Sequence, residues 1–120
     1  MAAEQDVYDA LRNASAVTAV CSTRIYPDVI PQERALPAVA YVRAGTEFVT
    51  TIHTGTPQRT RATVEVWCHA DTRSSADSLA VLVQTALTAE LFYPTDRRAE
   101  MDSSGPLNVF ATVLTYQLWE

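Results

Sequence analysis

The chain has 120 residues, 48% of them hydrophobic and 19% charged, with a net charge of −5. That length supports one domain with its own core, and three glycines against six prolines exclude a low-complexity chain. Fourteen acids face nine bases, which disfavours a protein dedicated to gripping nucleic-acid phosphates. Every base is Arg, a bias with two readings: GC-rich coding, or planar bidentate ion pairs at protein contacts. No run reaches the ~20 apolar residues of a membrane helix. The opening Met1-Ala2-Ala3-Glu4-Gln5-Asp6 is acidic with no apolar stretch behind it, so no signal peptide is expected.

Residues Ala3 to Ala14 predict a helix, with Ala3, Val7, Ala10, Leu11 and Ala14 on one stripe. From Asn13 and Ser15 the pattern turns irregular, and Arg24-Ile25-Tyr26 suggests a short strand before Pro27. Asp28 to Leu36, mostly polar around Pro31, reads as an excursion. Ala38 to Arg43 predicts a strand ended by Ala44-Gly45, and a second β-rich run extends from Phe48 to Thr54. The strongest strand is Gln58 to Ala70. It places Ala62, Val64, Val66 and Cys68 on one side, and Arg59, Arg61, Thr63, Glu65, Trp67 and His69 on the other.

Ser74 to about Leu91 is the main helix, with Ser74 and Asp77 resembling a capping box. Its buried stripe is Leu79, Val83, Ala86 and Leu87, reaching toward Leu91. Tyr93-Pro94 ends it; Arg97 to Asp102 suggests a strand, and Ser103-Ser104-Gly105-Pro106 a turn. Asn108 to Trp119 closes the chain as a strand whose Phe110, Leu114, Tyr116 and Leu118 alternate with Val109, Ala111, Val113, Thr115, Gln117 and Trp119. The expected fold is a single α+β domain, a mainly antiparallel β-sheet with two α-helices packed on one face. Val64, Val66, Leu79, Val83, Leu87, Phe110 and Leu114 are the expected core.

That arrangement leaves a second sheet face bearing Arg59, Arg61, Glu65, Trp67 and His69. Two readings of Trp67 stand side by side: part of a partner-binding surface, or a ring tucked under a loop that satisfies its indole N–H. The hairpin around Thr46–Gln58, rich in Thr and tipped by Gly55-Thr56-Pro57, is expected to open easily in the free subunit.

Chemistry is harder to find. Phosphate-loop, dinucleotide, nucleophile-elbow and zinc-protease motifs do not occur in the sequence. Cys68 and His69 are neighbours on a strand and should point to opposite faces. Cys21 and Cys68 could join His53 and His69 as metal ligands on paper, but the spacing resembles no zinc module. Reduced, buried thiols are expected, with no metal, cofactor or catalytic residue. Glu100 and Asp102 share a strand face in a polar region, where solvated charge is the ordinary reading.

Read in order, Arg24-Ile25-Tyr26-Pro27, Pro31-Gln32 and Leu36-Pro37-Ala38-Val39-Ala40-Tyr41 resemble the opening of the tail-completion (tail terminator) proteins of long-tailed bacteriophages and prophages. The likeness continues through Arg61-Ala62-Thr63-Val64-Glu65-Val66-Trp67-Cys68, a following amphipathic helix, and the strand from Phe110 to Trp119. The turn Cys21-Ser22-Thr23 departs from it, where a glycine-containing turn is expected. The resemblance implies a non-enzymatic structural protein of the virion tail, assembled in the host cytoplasm. It implies a homo-oligomeric ring, a hexamer, that caps the tail tube protein and docks the head connector or stopper while DNA passes without specific binding. Arg59, Arg61, Glu65 and Trp67 are the candidate interface residues, read from the open sheet face. Other readings are a head-side stopper or adaptor of the same particle, and a small α+β binding module.

Overall fold

The computed structural model describes residues 3–22, 24–28, 36–50, 57–102 and 109–119, with the side chains at 49–50, 57–59 and 102 outside that description. Helix α1 (Ala3–Asn13) buries Ala3, Val7 and Leu11, the stripe that the 3.6-residue period picks out. A second helix, α2 (Ser15–Cys21), occupies the stretch expected to be irregular. Its Ala, Val and Thr composition carries weak helical signal, and Ala14 offers no side-chain cap. Burial supplies the missing stability: Val17 and Cys21 are fully enclosed, and the Cys21 thiol donates back to the Val17 carbonyl.

Strand β1 (Ile25–Pro27) runs parallel to β2 (Ala38–Thr50). Here the sequence reading needs correction, because Ala44-Gly45 does not end the strand. Gly45 sits in a bulge: the pairing with β3 (Pro57–Ala70) shifts between Arg43 and Gly45 and then resumes. A bulge absorbs one extra residue while the ladder continues, so a glycine that reads as a stop is only a change of phase. The tip of this hairpin, where mobility is expected, lies outside the described residues, as does the excursion at 29–35 and the turn at 103–106.

Helix α3 (Arg73–Ala89) follows β3. Its cap is Thr72, whose hydroxyl accepts from the Ser75 amide, and not Ser74. Ala76, Leu79, Ala80, Val83 and Leu87 form its buried side. Ala86 is only half-buried, and Leu91 lies beyond the helix, 75% exposed with a φ of 65°. Strands β4 (Pro94–Asp102) and β5 (Val109–Trp119) complete one sheet of order β1-β2-β3-β5-β4, antiparallel except for β1–β2.

The fold is therefore α+β, with three helices where two were expected. All three pack with one face of the sheet into a single core, joined by Val64, Val66, Cys68, Leu114 and Tyr116. Phe110 departs from the expected core. It is half-buried near the end of β5, under the Arg73 guanidinium.

Candidate assembly surface

Alternation along β3 sorts its side chains without exception from Ala62 to Ala70. Ala62, Val64, Val66, Cys68 and Ala70 are buried; Arg61, Thr63, Glu65, Trp67 and His69 are partly exposed. Register then decides what each outward group meets. Trp67 lies opposite Ala40 on β2 and Val113 on β5, and Val113 lies opposite Arg98 on β4. Ala40 is 2% exposed and Val113 0%, although no described helix covers this face. Small residues between large ones explain this, since the long side chains beside them exclude water.

The large residues are tied to one another. Trp67 donates its indole N–H to Glu65 at 3.3 Å, and the Arg98 guanidinium donates to the other Glu65 oxygen at 3.0 Å. A further Arg98 N–H reaches Glu100 at 3.0 Å, and its guanidinium carbon stands 5.3 Å from the Trp67 ring centroid. His69 stacks with Trp67, their ring centroids 5.9 Å apart and their planes 15° from parallel. Hydrogen bonds to Glu65 and Glu100 push the Arg98 pKa up, fixing its charge. Farther along the same face, Arg61 pairs with Glu47 and lies 5.5 Å over the Trp119 ring.

Three of the four residues singled out from sequence thus belong to two neighbouring networks: Glu65 and Trp67 in one, Arg61 in the other. The side chain of Arg59 lies outside the described residues. Of the two sequence readings of Trp67, the tucked one needs a loop to satisfy the indole N–H, and the structure gives that role to Glu65 on the same strand. Glu47, Arg98 and Glu100 were missed as network members. Arg98 could have been found from the alternation Asp96, Arg98, Glu100, but only its pairing beside β5 brings it to Trp67.

The chemical candidates separate. Cys68 and His69 face opposite sides of the sheet, and both Cys21 and Cys68 are free and buried. Burial pushes both thiols up, Cys68 far more strongly, which makes them poor nucleophiles. Among the described residues, no three His, Cys, Asp or Glu side chains are grouped to hold a metal ion. His53 lies outside them. Glu100 is paired with Arg98 and exposed, and the side chain of Asp102 is outside the description.

What this surface offers is a flat array of charged and aromatic groups on a helix-backed sheet, the equipment of a small structural α+β protein. The chain belongs to the tail completion protein gp17 family, whose profile matches residues 5–117. It is a structural protein of the phage tail, located in the virion, and it acts in virion assembly. Among solved structures it is similar to a chain of the "Virion of native gene transfer agent (GTA) particle". The two share 16% identity at a TM-score of 0.62, over 95% of this chain and 92% of that one, a likeness of fold. No curated protein sequence matches.

Proposed function

We propose that copies of this protein, six by analogy with tail terminators, close into a ring that caps the tail tube and joins the tail to the head connector. A tube grows by adding identical rings, so its end stays adhesive until a different surface covers it. The observation that carries the reading is the open sheet face, where Arg61, Glu65 and Trp67 are held in polar networks that solvent can reach. Such groups can exchange partners on docking at little cost to the subunit's own fold. The net charge of −5 fits a channel that lets DNA pass without retaining it. Arg59 belongs to the proposed contact surface by its place on β3. No step of this role calls for catalysis, a metal or a cofactor.

Deleting the gene tests the proposal. Tails should assemble but overgrow, or fail to join DNA-filled heads, as counted by electron microscopy. Normal-length, head-joined particles in its absence would reject the role.

A further inference from the structure

A ring needs two different surfaces on each subunit that fit one another, and this sheet ends in two different edges. Strand β4 is one. At the other side, β1 pairs only with Val39 to Tyr41, so among the described residues no strand pairs with the far side of β2 from Ala44 to Thr50. That is about 23 Å of strand with no described strand along one side. Open edges are ordinarily blocked by charge or proline, and β4 has both in Pro94, Asp96, Arg97, Arg98 and Glu100. The β2 edge has its bulge and the charges of Arg43 and Glu47, so charge on both edges restricts pairing to a register that opposes unlike signs. Gly45 at that bulge has no positive φ, and a Cβ there would meet no atom within 4 Å. The subunit's own packing does not need a glycine at this position; a close approach from outside would.

The backbone fixes which groups face outward at each edge. The Val39 amide donates to Arg24, and the Tyr41 carbonyl accepts from Asp28, so these residues point toward β1. The bulge shifts the phase, and beyond it Thr46 and Phe48 point to the open side. On β4, one Arg73 guanidinium donates to the carbonyls of both Glu100 and Ala111, at 2.8 and 2.9 Å. Those two carbonyls therefore lie together between β4 and β5. By alternation, the groups of Arg97, Ala99 and Met101 face the free edge.

We propose that β2 of one subunit pairs antiparallel with β4 of a second copy, continuing the sheet from subunit to subunit. This rests on the ring reading and specifies its joint. Rotation about a ring axis keeps the sheet faces aligned and sets the descending β4 beside the ascending β2, which is the antiparallel arrangement. Three registers match outward groups on both edges while keeping each face continuous. With Thr46 opposite Arg97, Glu47 falls against Asp96; with Thr46 opposite Met101, it falls against Glu100. Both oppose like charges. Only Thr46 opposite Ala99 places Glu47 against Arg98, with Phe48 against Arg97. In that register Glu47 and Arg98 form a non-hydrogen-bonded pair, where side chains come closest. The joint then links the Arg61–Glu47 network of one subunit to the Arg98–Glu65 network of the next.

Charge exchange tests the register. Glu47→Arg and Arg98→Glu should each abolish ring assembly, measured by mass in solution and by capping of purified tail tubes. The double exchange should restore it. Within one chain β3 and β5 separate these strands by about 14 Å, so rescue must come across the joint. Cross-linking provides a readout independent of charge. The Glu47→Cys, Arg98→Cys protein, with Cα atoms ~4.5 Å apart across the joint, should form a covalent ladder of multimers on oxidation, whereas the parent, whose thiols are buried, should not. Rings that form without rescue and without a ladder would overturn the edge pairing and leave the ring reading standing. A parent protein that forms no ring, alone or on tubes, would overturn both.

Discussion

The two faces of this sheet are built from alternate residues of the same strands, yet they are held by different forces. Toward the helices, Val64, Val66, Cys68, Leu114 and Tyr116 are fully buried, and their stability comes from removing apolar surface from water. Away from the helices, Glu65, Trp67, Arg98 and Glu100 hold one another through charge-assisted hydrogen bonds that water and salt weaken. The first arrangement defines the subunit and tolerates little change. The second can be rearranged without unfolding anything, which suits a protein that must remain soluble before it assembles.

Breaking the inner face should have the largest effect. Leu87 is fully buried between α3 and the sheet, so Leu87→Ala should destabilise the subunit by ~2–5 kcal/mol, read from denaturant unfolding. Loss of less than ~1 kcal/mol would mean the helix layer is looser than its burial indicates. Tyr116→Phe sharpens the same point from the opposite direction. Among the described residues its buried hydroxyl has no hydrogen-bond partner, and desolvation pushes its pKa strongly up. Removing a buried, unsatisfied hydroxyl should stabilise the subunit by ~1–3 kcal/mol. A destabilised Tyr116→Phe variant would show that the oxygen has a partner.

How much of this was legible in sequence follows the same division. The inner face was readable because β3 keeps strict period two and α3 keeps its apolar stripe, so Val64, Val66, Leu79, Val83 and Leu87 were placed correctly. Breaks in period were misread. Gly45 looked like a strand end because a bulge has no pattern of its own, and α2 looked irregular because its helicity depends on burial. The Thr72 cap was missed because Ser74, Ser75 and Thr72 all offer a hydroxyl, and only the local backbone selects among them. On the outer face, Arg61, Glu65 and Trp67 were visible as a strip on one strand. Arg98 was not, since its contact with Trp67 crosses β5 and depends on registers that no local pattern encodes.

A smaller effect is expected from the outer face. Glu65→Gln removes the acceptor charge that holds Arg98 while keeping the shape of the side chain. The subunit should lose about 0–1 kcal/mol, as measured by denaturant unfolding at low salt, and the loss should shrink as salt is raised. A salt-independent loss well above 1 kcal/mol would place Glu65 in the structural layer and collapse the distinction between the faces.

The smallest effect should come from Asp77, where polar groups meet the helix layer. It accepts a hydrogen bond of 2.7 Å from the buried Thr112 hydroxyl and lies near Arg73 and Arg97, at 3.9 and 3.5 Å. The Thr112 bond, then the two guanidinium groups, hold its pKa below the ordinary carboxylate value. The folded state therefore binds this proton less readily than the unfolded state. The stabilisation is complete above the unfolded value of ~3.9, and is lost as pH falls through the lower folded value. Asp77→Asn keeps the acceptor for Thr112 but cannot titrate. Its unfolding midpoint should be slightly lower than the parent's at pH 7, and the two should converge as pH drops below about 4. Because the carboxyl is 45% exposed, solvent screening keeps the difference small. Curves that stay parallel down to pH 2 would show that Asp77 joins α3 to β5 by shape alone, with its charge contributing nothing.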